Sequence, residues 1–410
     1  MPLETSLAPA HTGHTSDKLR ELKDFELRMY VMRRRVIGIC AALICLSGVH
    51  AQEGKNGDSI SKQLEKQQYD LSSDGKTFLL DEARQASFFL LGELHGENEI
   101  PALLRALWPQ MWRDGYRNIA AEMSPWAAHQ LEFAPANGGP KIHGLWSKEE
   151  AQFAHSFTST TQAVLWGCDM DEVQPHLLIR DLAAANPSNS ALQQMVEIAK
   201  RGYSRNMAPK LLRLAQSATG IKDQTANDSS LYENVLATLE IESDRLNGAR
   251  LSASLRRESL MKNLFLLQYE KSGATRLRTK VLLRFGRNHL HRGYDRRGVS
   301  TLGNLVAEFA LARHMTSFHV AAFAAGGKAF LAGKTFDADE RQDDPAFEVL
   351  TSVARYTATV FDLRPLRPIL HQISDKNRST FQRSLIYWAD SYDAIICYRE
   401  VTPLRSTSGR

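Results

Sequence analysis

Four short, mostly apolar runs, each ending at or just before a titratable side chain, constrain the fold of this 410-residue chain more than any other feature. They lie at 88–91, 119–121, 163–166 and 280–285. The titratable residues at or just after their ends are Glu93 and His95, Glu122, Asp169, and His289 and His291. Short apolar runs bounded by glycine or polar residues are typical of strands that are buried on both faces.

Segments with helical spacing of apolar residues alternate with these runs, which favours a parallel sheet covered by helices. Residues 176–275 break the alternation, because they contain helical stretches and no strand candidate. The helical stretches lie at 191–216, 229–247 and 250–271, and further strands are predicted at 317–323, 357–363 and 392–398. The predicted fold class is therefore α/β, a mostly parallel sheet flanked by helices, with a helical insertion over the strand C-terminal edge.

Composition narrows the classes of partner. The chain is 43% hydrophobic and 24% charged with a net charge of +5, as in an ordinary globular protein with a sizeable core. It has no run of five or more basic residues, so neither nucleic acid nor a polybasic membrane contact is indicated. We expect a small-molecule substrate as the partner.

Residues 32–51 have the layout of a secretory signal peptide, with three arginines, an apolar run and a small-x-small site that ends at Ala51. We expect residues 1–51 to be removed, with Met29 or Met32 as an alternative start. A membrane anchor is the alternative, but the apolar run is shorter than the ~20 residues that a spanning helix needs. The predicted location is secreted or periplasmic, without stable membrane insertion after cleavage.

The remaining chain divides into a polar lead-in and one large domain. Residues 52–76 are rich in Gly, Ser and Gln and are predicted to be flexible, and residues 77–410 are predicted to form the α/β domain that contains the insertion. Only Cys168 and Cys397 remain after cleavage, so one disulfide is possible and a disulfide scaffold is not.

The carboxyl ends of parallel strands meet at one edge of a sheet, so the titratable residues are expected to converge there. Carboxylates and imidazoles in one cluster suit general acid/base chemistry or a metal site. His289 and His291 alternate along an extended segment, so only one of them should face the site. Asp169 has a second interpretation as a helix N-cap, and Glu97 is predicted to be a solvated residue at a helix start.

The order of these motifs resembles the erythromycin esterase / ChaN-like / Tiki superfamily over roughly residues 80–400. The shared order is Gly-Glu-x-His-Gly, strand-Glu, strand-Gly-x-Asp, a helical insertion and strand-Gly-x-x-His. Glu99 and the segment RESLMKN, with Arg257, Glu258 and Met261, resemble the esterase branch. The single residue between Glu93 and His95 is more like the ChaN branch.

The resemblance implies an exported hydrolase in which water attacks an ester or related acyl bond. It implies His95 as the general base, oriented by Glu93 or Glu122, and His289 as the group that polarises the carbonyl or protonates the leaving group. It also implies substrate contacts from Glu99, Asp169, Arg257 and His291, with Arg257 stabilising the oxyanion. No cofactor is expected, and no Gly-x-Ser-x-Gly elbow is present.

Two alternative functions would use the same residues. In the first, similar to the Tiki branch, the carboxylates and histidines bind a divalent metal that activates water. In the second, similar to ChaN, the edge binds haem or another small ligand and does not catalyse.

Overall fold

Ten strands are present in the computed structural model, which describes residues 53–133, 145–159, 161–172, 174–218, 221, 226–273, 279–331 and 333–404. The strands are β1 Gln68–Asp70, β2 Phe88–Glu93, β3 Tyr116–Ala121, β4 Leu165–Gly167, β5 Lys280–Gly286, β6 Ser317–Ala324, β7 Lys328–Leu331, β8 Lys334–Asp337, β9 Ala358–Asp362 and β10 Ala394–Tyr398. Eight of these described strands form one sheet in the order β1-β9-β10-β6-β2-β5-β3-β4, and β7 and β8 form a separate hairpin.

The main sheet is mostly parallel, as predicted. β9 runs antiparallel to both of its neighbours, and every other pairing in the sheet is parallel. The strands β2, β5, β3 and β4 are adjacent, so their carboxyl ends lie side by side. The register places Glu93 beside Gly286 and Ala121 beside Gly167.

The described helices cover the sheet and connect its strands. They are α1 Glu53–Lys66, α2 Asp74–Gln85, α3 Glu99–Arg113, α4 Pro125–Phe133, α5 Lys148–His155, α6 Pro175–Ala185, α7 Ser190–Ala199, α8 Ala208–Ser217, α9 Ala226–Leu246, α10 Arg250–Lys271, α11 Leu302–Ala312, α12 Pro345–Val353, α13 Arg367–His371 and α14 Thr380–Ser391. No helix among the described residues is long and apolar enough to cross a membrane.

The sheet has a hydrophobic layer on each face. Phe88 and Leu90 of β2 belong to one core cluster, and Phe89 and Leu91 belong to the other. Successive side chains of a strand point to opposite faces, and both faces of β2 are buried, so a continuous apolar run is needed. This is why the strand reads as four apolar residues and not as an alternating pattern.

Five helices, α6 to α10, lie between β4 and β5 and form the helical insertion. Buried side chains of α6 to α9 form a separate apolar cluster. The predicted stretch 191–216 is two helices, α7 and α8, separated by a short 3₁₀ turn at Arg205–Met207. Arg257 of α10 contacts Glu122 after β3, so the insertion lies over the carboxyl edge of the strands.

The lead-in differs from the prediction of a flexible segment at 52–76. It contains α1, β1 and the start of α2, and β1 pairs with β9. Ile60 and Leu64 are fully buried in a core cluster. Because only these two apolar residues mark the inner face of α1, the polar composition of the segment hid the helix. The large compact unit, Ile60–Arg410, therefore begins before residue 77.

The predicted signal peptide, residues 1–51, lies outside the described residues. Cys168 and Cys397 are both buried and are not disulfide-bonded. The hairpin β7–β8 was not predicted, and most of its residues are exposed.

Candidate active site

The predicted residues reach the site from the ends of four adjacent strands. Glu93 is the last residue of β2, Glu122 follows β3, and Asp169 follows β4. His289 ends the 3₁₀ turn Arg287–His289 that directly follows β5. These four side chains are between 2% and 8% exposed, so the strand ends are covered.

Glycine permits the close approach of these strand ends. A Cβ atom at Gly286 would lie 2.7 Å from Nε2 of His95. The backbone N–H of Gly286 donates a hydrogen bond to Oε2 of Glu122 at 2.6 Å. The glycine that ends the apolar run therefore leaves room for the histidine and also supplies a donor to the carboxylate.

Glu122 lies between two histidines. Nε2 of His95 is 3.5 Å from Oε2 of Glu122, and Nε2 of His289 is 3.5 Å from Oε1. The other ring nitrogen of His95, Nδ1, lies 3.2 Å from Oε1 of Glu93. Nδ1 of His289 is paired with Glu258 in the same way. Each imidazole is thus held by a carboxylate through Nδ1 and presents Nε2 toward Glu122.

Helix α10 contributes two consecutive residues to the cluster. The Arg257 guanidinium donates to Oε1 of Glu122 at 2.8 Å and to Oδ1 of Asp169 at 3.1 Å. Glu258 pairs with His289 and accepts a hydrogen bond from the backbone N–H of Leu302 at 2.9 Å. The insertion therefore completes the site that the sheet begins.

A second arginine, Arg284 of β5, is 2% exposed and lies behind the cluster. Its Nε donates to Oε2 of Glu93 at 2.6 Å, and its Nη1 donates to Oε1 of Glu150 at 2.7 Å. Its guanidinium also lies 4.4 Å from the ring centroid of Trp146. A buried charge needs such partners, because burial without them is very costly.

Neighbouring charges shift the pKa values of His95, Glu122 and Glu93 in different directions. Burial lowers the pKa of His95, but the carboxylates of Glu122 and Glu93 outweigh burial and raise this pKa to about 9. Burial raises the pKa of Glu122, but the two histidines and Arg257 outweigh it and lower the pKa to about 2. Burial likewise opposes ionisation of Glu93, and Arg284 and His95 lower its pKa nonetheless. At neutral pH the cluster therefore contains ionised carboxylates around a protonated His95.

Some predicted residues are not brought into this cluster. Glu99, in the first turn of α3, accepts hydrogen bonds from the backbone N–H and the hydroxyl of Thr402. His291 is 1% exposed and contacts the rings of Tyr387, Trp388 and Tyr392. His289 and His291 are thus not equivalent, which is the expected consequence of their alternation.

Glu97 differs from the prediction of a solvated residue. It is 3% exposed, and neither of its carboxylate oxygens has a hydrogen-bond partner. Burial and the nearby Glu93 raise the pKa of Glu97 well above its usual value. Its backbone pairs with Pro403.

The cluster opens into a pocket of about 680 Å³. His95, Glu122, Asp169, Arg257 and His289 all line it. A volume of this size is typical of a small-molecule site.

The donor set does not fit a divalent metal ion. Glu122 and Asp169 both bind the guanidinium of Arg257, and Glu93 binds Arg284, so each of these carboxylates already has a cationic partner. A fixed guanidinium between carboxylates would repel a second cation. Among the described residues no group of three or more His, Cys, Asp or Glu side chains could hold a metal ion.

Arg284, Glu150 and Glu258 were not among the site residues predicted from the sequence. An arginine inside the run KVLLRFG was a usable signal, because a charge within a strand that is buried on both faces must have a partner. Glu150 and Glu258 lie on helices far from their partners in sequence, and nothing local indicates those contacts.

Comparison with known proteins identifies the fold. No protein-family model matches the chain, and a search of curated proteins found no significant match. Three solved structures align with it over most of their length. A Bacillus cereus protein is 14% identical, covers 84% of this chain and 98% of its own, and has a TM-score of 0.55.

The second structure is a succinoglycan biosynthesis protein, which is 15% identical, covers 88% of this chain and 100% of its own, and has a TM-score of 0.53. The third is a mutant of the erythromycin esterase EreC in its open conformation. It is 14% identical, covers 81% of this chain and 95% of its own, and has a TM-score of 0.56. The predicted resemblance is confirmed at the level of the fold, and the chain has an erythromycin esterase-like α/β fold.

Proposed function

We propose that this chain is an exported hydrolase that cleaves an ester or a related acyl bond with a histidine-activated water molecule and without a metal ion. The observation that best supports this is the position of His95 and His289 on either side of Glu122, in a pocket open to a small molecule. An acid, a base and a fixed cation around one position suit acyl transfer to water. The fold that the chain shares with an erythromycin esterase agrees with this class of reaction.

His289 is best suited to act as the base. Its Nδ1 faces Glu258, which favours the tautomer with the proton on Nδ1 and leaves the lone pair of Nε2 available. Glu258 is itself held by the N–H of Leu302, so the orientation of the ring is well defined. This Glu–His pairing orients a base in the same manner as the acidic member of a catalytic triad.

His95 is best suited to act as the acid. The sequence assigned it the role of base, but a group with a pKa of about 9 is almost fully protonated at neutral pH. An imidazolium can donate a proton to a leaving alkoxide and cannot accept one from water. The raised pKa of His95 therefore favours the acid role for this residue, and His289, the other histidine beside Glu122, is left as the base.

Nε2 of His289 takes a proton from water while the water oxygen attacks the carbonyl carbon, and Arg257 stabilises the alkoxide that forms. When the carbon–oxygen bond breaks, Nε2 of His95 gives its proton to the leaving alkoxide. After the products leave, His289 gives its proton to solvent water in the open pocket and His95 takes one back from solvent, which restores the starting state.

The test is hydrolysis of a panel of activated esters by wild type, His95→Ala and His289→Ala, each with and without excess chelator. We expect activity to survive chelation and to fall by about 10²-fold or more in both variants. The matched control is His371→Ala, because His371 is a half-exposed histidine that lies outside the pocket.

Two results would contradict the proposal. Activity that is lost to chelator and restored by manganese, cobalt or zinc would favour the metal-dependent alternative. The absence of any ester turnover, together with a Soret band on addition of haem, would favour the ligand-binding alternative.

A further inference from the structure

The pocket has an apolar wall in addition to the catalytic cluster. We define this apolar wall as Met123, Leu131, Leu145 and Trp146, all of which line the pocket. Leu131 and Trp146 are part of a large core cluster, and Met123 and Leu145 pack against it. The wall is therefore the exposed edge of the core and not a set of isolated side chains.

Arg284 holds the apolar wall and the catalytic pair in one arrangement. Its guanidinium lies against Trp146 and donates to the backbone oxygen of Leu145 at 3.3 Å. The same guanidinium binds Glu93, the carboxylate that contacts His95. A wall fixed in this way can bind an apolar group without first becoming ordered, which lowers the cost of binding.

The arginines and histidines that line the described part of the pocket are all paired with carboxylates. The two histidines and Arg257 are paired with carboxylates, as described above. Arg297 pairs with Asp295, and Glu172 pairs with Arg245 at 2.8 Å. Asp171 accepts hydrogen bonds from a serine hydroxyl and a backbone N–H. Among the described residues that line the pocket, every arginine and histidine already has a carboxylate partner, so an anionic substrate group would have to break an existing pair.

We propose that the substrate of this site is an ester with an uncharged, apolar arm beside the reacting carbonyl, and that the apolar wall binds this arm. The inference rests on the proposed hydrolase function and adds the substrate class to it. Burial of the arm against Leu145 and Met123 supplies binding energy in proportion to its apolar area. An anionic group in the same place would lose its hydration and would find only cations that already bind carboxylates.

The first experiment compares p-nitrophenyl esters from acetate to octanoate, together with mono-p-nitrophenyl adipate as the charged counterpart of the hexanoate. We expect kcat/KM to rise by about two- to fourfold for each added methylene until the wall is covered. The adipate ester should be at least about tenfold poorer than the hexanoate ester. The inference would be overturned if kcat/KM did not change with chain length, or if kcat/KM of the adipate ester equalled that of the hexanoate ester.

Variants locate the binding of the arm. Leu145→Ser and Met123→Ser should each weaken the increase of kcat/KM with chain length, mainly by raising KM for the longer esters. The control is Leu311→Ser, since Leu311 is 73% exposed and does not line the pocket. If a folded wall variant shows the same dependence of kcat/KM on chain length as the wild type, the inference is contradicted. Two wall variants are made so that the test remains possible if one of them does not fold.

A binding experiment separates this inference from the hydrolase proposal. Hexanamide and the monoamide of adipic acid contain no ester, and their binding to wild type can be measured by saturation-transfer NMR. We expect hexanamide to bind and the adipic acid monoamide to bind at least about tenfold more weakly. If no ester is hydrolysed but this preference is seen, the pocket chemistry stands and the hydrolase proposal fails. If the two amides bind equally or not at all, the inference fails.

Discussion

Glu122 is the residue on which the other groups of the site depend. It accepts hydrogen bonds from Arg257 and from the N–H of Gly286, and it lies beside the Nε2 atoms of both histidines. Burial opposes its charge, but the two histidines and Arg257 outweigh burial, so Glu122 stays ionised far below neutral pH. Its charge is in turn the chief reason that His95 is protonated despite burial.

The first prediction at this scale concerns pH. If His95 is the acid, activity should fall as pH rises through about 9, where His95 loses its proton. In Glu122→Gln, residual activity should show this alkaline limb at lower pH, because the main group that raises the pKa is gone. The measurement is the pH dependence of kcat/KM, with the exposed Glu348→Gln as the control.

The same pKa has a consequence for stability. A pKa raised on folding from 6.5 to about 9 means that the attraction of His95 for its carboxylates stabilises the folded state fully below pH 6.5. This contribution is lost as pH rises through about 9.

The activity profile can also contradict the assignment of His95. If kcat/KM of the wild type does not fall at alkaline pH, or if the fall stays at the same pH in Glu122→Gln, His95 is excluded as the acid.

The second prediction separates two neighbouring histidines. His289→Ala should lower kcat by about 10²-fold or more, because it removes the proposed base. His291→Ala should retain most of the activity but lower the free energy of unfolding by about 2–5 kcal/mol, since it empties a site enclosed by three aromatic rings. Kinetics and urea unfolding measure the two effects. Equal and complete loss of activity in two well-folded variants would show that the assignment of roles is wrong.

At the scale of elements, helix α10 joins the insertion to the sheet. Arg257 and Glu258 are consecutive, so their side chains leave the helix about 100° apart. This angle lets Arg257 reach Glu122 and Asp169 while Glu258 reaches His289. The helix therefore controls the orientation of the proposed base and the charge of the neighbouring carboxylate.

The end of β5 carries the prediction for this scale. Gly286→Ala should leave the fold intact but reduce activity strongly, because the new Cβ would lie 2.7 Å from Nε2 of His95 and 3.2 Å from Oε2 of Glu122. The control is Gly326→Ala, where the nearest atom to a new Cβ is the Arg399 backbone oxygen at 3.2 Å, outside the cluster. Circular dichroism and ester hydrolysis provide the two measurements. Full activity in a folded Gly286→Ala protein would mean that His95 has more freedom than the close packing of strand ends indicates.

At the scale of the molecule, strand order decides which residues can meet. The strands β2, β5, β3 and β4 are neighbours, and they deliver Glu93, His289, Glu122 and Asp169 respectively. Glu99 begins α3 and is directed instead toward the chain segment that follows β10. Residues that are close in the motif GELHGENE therefore serve different parts of the protein.

Export is the prediction that belongs to the whole chain. We propose that the signal-like segment is removed, so protein purified from the native host outside the cytoplasm should begin near Gln52, as determined by N-terminal sequencing. A chain of residues 52–410 should be as active as the exported protein, because the whole catalytic cluster lies between Glu93 and Leu302. An intact N-terminus on cytoplasmic protein would refute the proposal.

The sequence alone was sufficient for seven of the eight strands of the main sheet, the fold class and five of the residues that line the catalytic pocket. Those features are local, because an apolar run such as 88–91 reports burial of a strand on both faces and a polar residue after it marks the edge of the sheet. The helix α1 was missed because its apolar stripe consists of only Ile60 and Leu64.

Only the tertiary structure decided the chemistry of the site. The pairing of Arg284 with Glu93 and Glu150, and of Glu258 with His289, joins residues that are 31 or more positions apart. The protonation of His95 depends on the distances to Glu122 and Glu93 and on burial, none of which is encoded in a short motif. The residue types that can do acid and base chemistry are therefore visible in the sequence, but which histidine does which depends on charges that only folding brings together.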